Sequence, residues 1–140
     1  MQLNSYLFFK GNCKEAFAFY AKVLGGKIIT MMTHGETPAA EHTKPEWQDK
    51  IIHARMRFGD QLLMGSDAPP EHHRPMQGFS VSLSVDEPGE AERIFQAFSE
   101  GAQVTMPIQE TFWAIRFGML VDRFGTDQLR EEAVTSSARL

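Results

Sequence analysis

The strongest constraint on the fold of this 140-residue chain is that it repeats itself. Residues 7–25 (LFFKGNCKEAFAFYAKVLG) return in weaker form as residues 83–101 (LSVDEPGEAERIFQAFSEG). Both copies read as an apolar strand, a polar turn, an amphipathic helix and a glycine exit. At one constant offset, Phe19 aligns with Phe95 and Gly25 with Gly101. A half-sized copy of one supersecondary unit buries its apolar face poorly alone, so two copies are expected to pack together, with a site between them.

Side-chain periods locate the elements. Residues 3–9 alternate as a strand, with Leu3, Ser5, Leu7 and Phe9 on one face and Asn4, Tyr6 and Phe8 on the other. Gly11-Asn12-Cys13 is a turn, with Asn12 placed to cap the helix that follows. Residues 14–24 carry Ala16, Phe17, Tyr20, Val23 and Leu24 at helical spacings, and Gly25-Gly26 stops the helix. Residues 27–33 read as a second strand. Residues 34–49 hold Pro38 and Pro45 and read as a long loop, of the kind used as a lid or dimer contact. Residues 51–58 and 61–66 form a hairpin about Gly59-Asp60. The proline-rich stretch DAPPEHHRPMQ at 67–77 reads as a linker.

The second copy follows the same course. A strand at 79–85 leads through Asp86-Glu87-Pro88 into a helix ending at Ser99, with proline in its first turn and acids at its positive end. Gly101 closes it. Residues 103–109 form a strand that Pro107 assigns to a sheet edge. Residues 113–121 and 127–131 form the last hairpin, around Arg123-Phe124-Gly125-Thr126. The two hairpin glycines, Gly59 and Gly125, lie ten residues closer than the helix offset requires, which places the surplus of the first copy in its 34–49 loop. The expected organisation is one α+β domain over 1–140. Module one spans about 1–67, a linker 68–77, module two about 78–132 and a polar, fraying tail 133–140. Each module is strand–helix–strand–strand–strand.

Alternation also assigns sheet faces. Phe79, Val81, Leu83 and Val85 turn toward the helix, leaving Ser80, Ser82 and Ser84 on the opposite, concave face. Ile52, Ala54, Met56 and Phe58 turn helixward, leaving Ile51, His53, Arg55 and Arg57 concave. A half-polar face that curls encloses a cavity rather than a core.

Bulk properties narrow the function classes. A chain of this size buries roughly two-thirds of its unfolded surface, enough to fold without a disulfide or structural metal. The composition, 42% hydrophobic and 23% charged, is that of an ordinary globular protein. A net charge of −4 without a basic stripe argues against nucleic acid as a partner. The one cysteine, Cys13, excludes an intramolecular disulfide and suits a reducing compartment. No segment approaches the roughly 20 apolar residues of a membrane span, and no basic, apolar and small-residue leader is present. The expectation is a cytoplasmic protein with no membrane partner.

Four blocks carry a resemblance: YLFFKGNCKEAFAFYAKVLGG at 6–26, HARMRFGDQLLMGSD at 53–67, GFSVSLSVDEPGEAE at 78–92 and TFWAIRFGMLVDRFGT at 111–126. With the repeated βαβββ unit, they make the chain resemble the PhnB-like branch of the vicinal oxygen chelate superfamily. That superfamily includes glyoxalase I, extradiol dioxygenases and bleomycin-resistance proteins. The resemblance implies two tandem βαβββ modules forming a cupped, mostly antiparallel eight-stranded sheet with helices on the convex face. It also implies a homodimer, sometimes with modules exchanged between subunits. Chelating members place a His or Glu on the first strand of a module and a Glu on the last. Those positions fall here at Asn4, Ser80 and Leu129, and strand 61–66 has no acid. Neutral oxygens and an aliphatic side chain do not hold a divalent ion, so neither a metal nor a cofactor is expected. The branch continues its RFGT turn with Pro-Trp and an apolar run, whereas this chain has Asp127-Gln128-Leu129-Arg130-Glu131, a more polar last strand. Some PhnB-like sequences carry a ubiquinone-pathway methyltransferase label. This sequence lacks the glycine-rich strand-to-helix loop with a downstream acid, and the doubly wound alternation, of a nucleotide-binding domain.

His53 is the candidate catalytic residue, as a general base or substrate ligand titrating near neutrality. The plainer alternative is a polar strand residue hydrogen-bonded in the sheet groove. Trp113 and Arg116 are candidates for an aromatic wall and an anion clamp. They differ in strand parity, so without a bulge only one points inward. Alternatively Trp113 is core and Arg116 pairs with a surface acid. Tyr6 is a further ligand-binding candidate, with Asn4 on its face and Ser80 on the matching face of module two; the plainer and favoured alternative for Tyr6 is an ordinary half-buried tyrosine. His34, His42, His72 and His73 lie in loops without a ligand spacing. Cys13 sits at a helix N-terminus, which favours a lowered thiol pKa, but no histidine is paired with it and nucleophilic catalysis is not expected. Phe8, Phe9, Phe17 and Phe19 read as packing. The function expected is binding of a small organic molecule in a metal-free cavity. The alternatives are a metal-dependent glyoxalase-like lyase, isomerase or dioxygenase, and a structural homodimer without ligand.

Overall fold

Apolar positions at alternate residues of the strands and at every third or fourth residue of the helices meet in two separate cores. The computed structural model describes residues 1–126 and 129–133, which fall into two compact units, Met1–Pro75 and Met76–Leu140. The fold is mixed α+β, with two helices and mostly antiparallel strands among the described residues.

Unit one contains β1 (Ser5–Phe9), α1 (Cys13–Leu24), β2 (Lys27–Thr33), β3 (Ile51–Phe58) and β4 (Gln61–Asp67). Its sheet runs β1-β4-β3-β2, with β1 parallel to β4 and the other pairs antiparallel. One sheet face buries Leu7, Phe9, Ala54 and Met56 with Ala16, Phe17, Tyr20 and Val23 of α1. Gly65 lets the helix approach, since a Cβ there would lie 3.0 Å from both the Phe17 ring and the Leu7 carbonyl. Gly25 ends α1 in the left-handed conformation (φ 73°), its N–H donating to the Ala21 carbonyl.

Three expectations for this unit change. β1 starts at Ser5, and Leu3 is 98% exposed rather than facing the core. Ile51, expected on the concave face, is only 1% exposed. The cause is a register shift: Met32 pairs with His53 and Thr33 with Ile51, so Ile52 is an extra residue that breaks strict alternation. The 34–49 segment is not an open loop. It folds as three 3-10 turns, His34–Glu36, Pro38–His42 and Pro45–Trp47, tied together by Gln48 Nε2 donating to the carbonyls of Ala40 (3.0 Å) and Thr43 (2.7 Å). Lys50 Nζ then donates to the Gly11 carbonyl (3.1 Å) and pins the segment's end to the β1–α1 turn.

Unit two contains β5 (Val81–Val85), α2 (Pro88–Ser99), β6 (Gln103–Gln109), β7 (Arg116–Val121) and β8 (Leu129–Ala133). Its sheet runs β5-β8-β7-β6, so β6 with its Pro107 is an edge strand, as expected. α2 buries Ala91, Ile94, Phe95 and Phe98. These match Cys13, Ala16, Phe17 and Tyr20 of α1, each pair two residues further apart than the strand starts Ser5 and Val81. Phe95 therefore corresponds to the buried Phe17 rather than to half-buried Phe19, and the repeat has no constant offset. The exits differ as well, because residue 100 caps α2 in an extended conformation where Gly25 caps α1. β7 begins three residues later than expected. The Thr111 N–H donates to the Ala114 carbonyl (2.9 Å) and the Ala114 N–H to Thr111 Oγ1 (3.1 Å), a closed turn that keeps 111–114 out of the ladder. After β7, Asp122 Oδ1 accepts from the N–H groups of Phe124 (2.9 Å) and Thr126 (3.0 Å). The expectations for residues 127, 128 and 134–140 lie outside the described residues. Among those described, no helix is long and apolar enough to cross a membrane.

Candidate functional site

The face of the unit-one sheet that α1 does not cover carries the candidate residues Tyr6 and His53. Register fixes which residues share it. Tyr6, Met64, Arg55 and Thr30 form one row across all four strands. Leu7, Gly65, Ala54 and Met31, one residue along, form the helix-facing row beneath. On the open face Met32 pairs with His53, Phe8 with Ser66, and Arg57 with both Lys27 and Leu62.

Tyr6 and His53 meet. The phenol oxygen is 3.2 Å from His53 Nδ1, and the rings stack at an interplanar angle of 22° with centroids 5.8 Å apart. With the phenol as donor, the imidazole carries its proton on Nε2, which leaves an N–H for another acceptor. Phe8, 51% exposed, continues the aromatic strip with its ring 5.1 Å from that of Tyr6. The arrangement offers an aromatic platform, a hydrogen-bonded imidazole and two thioethers, Met32 and Met64. It can seat a small planar molecule and exchange a proton with it.

Asn4 is half-buried, immediately before β1. Ser80 immediately precedes β5 in unit two. Trp113 lies in the β6–β7 connection, not on a strand, and is not core. It is 47% exposed, edge-on to Phe112 (4.6 Å) and Phe117 (5.3 Å). Arg116 opens β7, and its Nε donates to Glu92 of α2 at 2.6 Å while Nη1 donates to the Ile115 carbonyl. The guanidinium is thus engaged with a surface acid on the helix side. Among the described residues no group of three or more His, Cys, Asp or Glu is placed to hold a metal ion.

Two residues of consequence escaped the sequence reading. Asp67, read there as the start of a linker, ends β4 and is 4% exposed. It accepts N–H donors from Gly11 (3.0 Å), Cys13 (2.9 Å) and Ile51 (2.8 Å). It replaces Asn12 as the cap of α1, since Asn12 makes no side-chain capping bond. Arg55 lies on the open face with its Nε buried and without a hydrogen-bond partner among the described residues. The signal for it was in the sequence: His53, Arg55 and Arg57 alternate on one face without an acid among them.

The pKa of the Cys13 thiol shifts the opposite way from the lowering that a helix N-terminus favours. Burial, reinforced by the charges of Asp67 and Glu15, pushes the thiol far above its ordinary value of 9.0. The dipole of α1 is outweighed, and the side chain is a protonated core residue rather than a nucleophile. A raised pKa stabilises the fold below the unfolded value, and that contribution is lost as pH climbs past it, because only the unfolded chain then releases the proton. Stability measured by urea unfolding is therefore expected to fall above about pH 9 and to fall less in Cys13→Ala. A thiol reagent is expected to label Cys13 only after unfolding.

Comparison with known proteins places this architecture. The family model described as 3-demethylubiquinone-9 3-methyltransferase matches residues 1–128. Protein YjdN of Escherichia coli (strain K12) is 35% identical over 133 residues, covering 89% of this chain and 90% of that protein. The crystal structure of protein PA1353 from Pseudomonas aeruginosa is 43% identical and superposes with a TM-score of 0.86, covering 95% of this chain and 97% of that one. A Bacillus cereus PhnB protein, described as a putative 3-demethylubiquinone-9 3-methyltransferase, is 18% identical at a TM-score of 0.78, covering 96% and 100%. A glyoxalase/bleomycin resistance protein/dioxygenase family enzyme from Burkholderia phytofirmans PsJN is 16% identical at 0.64, covering 94% and 96%. These last two likenesses speak for the fold alone. The chain belongs to the family described as 3-demethylubiquinone-9 3-methyltransferase, with Escherichia coli YjdN as a relative.

Proposed function

We propose that this protein binds a small organic molecule, without a metal ion, on the open face of the unit-one sheet. The observation that carries the reading is the Tyr6–His53 pair, a hydroxyl 3.2 Å from an imidazole nitrogen on the sheet face that α1 does not cover. In this reading His53 acts on the ligand as base or hydrogen-bond partner. The protein works as a cytoplasmic homodimer. The neutral Asn4 and Ser80, with aliphatic Leu129, favour binding without a chelated ion over a metal-dependent lyase, isomerase or dioxygenase. The methyl transfer in the family's description needs a second site for a methyl donor, and no nucleotide-binding loop supports it.

The test is a thermal-shift screen of the full chain against small aromatic and carbonyl compounds, repeated with Tyr6→Phe and His53→Leu. Each substitution removes one polar partner, so a true ligand is expected to bind about five- to tenfold more weakly to either variant. A flat screen, or hits indifferent to both substitutions, would overturn the reading.

A further inference from the structure

We infer that the ligand of this face is an anion, held through its oxyanion by Arg55. The inference rests on the binding reading above and narrows it to small organic acids. Arg55 projects from the centre of the sheet, between Thr30 on β2 and Met64 on β4. Its Nε is buried yet has no hydrogen-bond partner among the described residues. Buried charged donors are rarely left unpaired, so this one points to an acceptor outside the described residues, a role the inference assigns to the ligand. The contrast within the molecule is direct, because Arg93 and Arg116 each hold a glutamate at 2.6 Å. The paired residues of the open face include no carboxylate to serve Arg55, while His53, Arg57 and Lys27 add only neutral or positive groups.

A guanidinium presents parallel N–H donors that match a carboxylate or phosphate-type group in two-pronged fashion. His53 stands two residues along the same strand, about 6.8 Å from Arg55 by strand geometry. That span suits a molecule with an oxyanion at one end and a planar body lying on Tyr6 and Phe8. Carboxylate and phosphonate share this chemistry, and binding measurements separate them.

The probes are benzoate, phenylphosphonate and neutral benzamide, titrated by NMR into the full chain at fixed ionic strength. The proteins are the parent, Arg55→Gln, Arg55→Lys and the charge-matched control Arg57→Gln. At least one anion is expected to bind about tenfold more tightly than benzamide, an advantage lost in Arg55→Gln, partly kept in Arg55→Lys and kept in Arg57→Gln. Whichever anion shows the larger advantage identifies the headgroup. Equal binding of benzamide and the anions, or an advantage that survives Arg55→Gln or is lost equally in Arg57→Gln, overturns the inference while leaving small-molecule binding intact. No binding of any probe to the folded parent overturns both.

Discussion

Replacing Asp67 by alanine is expected to destabilise the protein by at least about 3 kcal/mol and lower Tm by about 10 °C, measured by urea and thermal unfolding. The carboxylate ends β4 inside the protein, where its two oxygens serve three backbone donors from two distant segments. Two of them, Gly11 and Cys13, belong to the turn that opens α1, and a helix start always carries N–H groups with no partner inside the helix. The negative charge also meets the positive end of the α1 dipole. The third donor, Ile51, fixes the point where the 34–49 segment re-enters the sheet. Alanine leaves all three without an acceptor, those of Cys13 and Ile51 buried and that of Gly11 part-buried, and each unpaired buried donor costs about 1–3 kcal/mol. Asparagine separates the contributions. Its oxygen still serves the helix start, while its amide nitrogen opposes the Ile51 N–H donor to donor. Asp67→Asn is therefore expected to lose about half as much as Asp67→Ala. A loss below about 1 kcal/mol in the alanine variant would show that these donors find other partners.

Asp67 also shows where sequence reasoning runs out. Local patterns sufficed for α1, α2, β2 and the Gly59 hairpin, because helical and strand periods, glycine stops and turn pairs act over a few residues. The face assignment of Tyr6 and His53 followed from the same alternation and holds across β1, β4 and β3. Asp67 caps a helix more than fifty residues earlier, which only the parallel β1–β4 pairing brings within reach. Asn12 had the right residue type and place, but the buried carboxylate took its role. At Ile51 the alternation fails because one bulge shifts the parity. Trp113 fails for a related reason, since the Thr111–Ala114 turn closes on itself before β7 begins. Arg55 was placed on the correct face, but whether its donors are met depends on every neighbour at once, and no spacing rule reports that.

The second large effect is expected from a single added methyl group. Gly118→Ala in β7 should cost about 1–3 kcal/mol, read from urea unfolding. A Cβ at this position would lie 2.5 Å from Phe95 Cε2, 2.9 Å from Cδ2 and 3.1 Å from the Ile108 Cα on the neighbouring strand. Relief by a small side-chain turn is blocked, because Phe95 is buried in the α2 core and Ile108 presents backbone. The methyl group must instead lift α2 from the sheet. The backbone at Gly118 is ordinary strand, so the penalty is steric and not conformational, which makes it rescuable from the other side. Trimming the ring with Phe95→Leu costs stability alone by opening a cavity. In the double variant the new methyl group partly fills that cavity. The two losses are therefore expected to sum to less than their separate values by about 1 kcal/mol, a coupling that only touching residues show. Gly65 beneath Phe17 supplies the control in unit one, where the nearest approach is a looser 3.0 Å and alanine should cost less. Additive losses at Gly118 and Phe95 would mean that α2 does not rest on β7 through this contact.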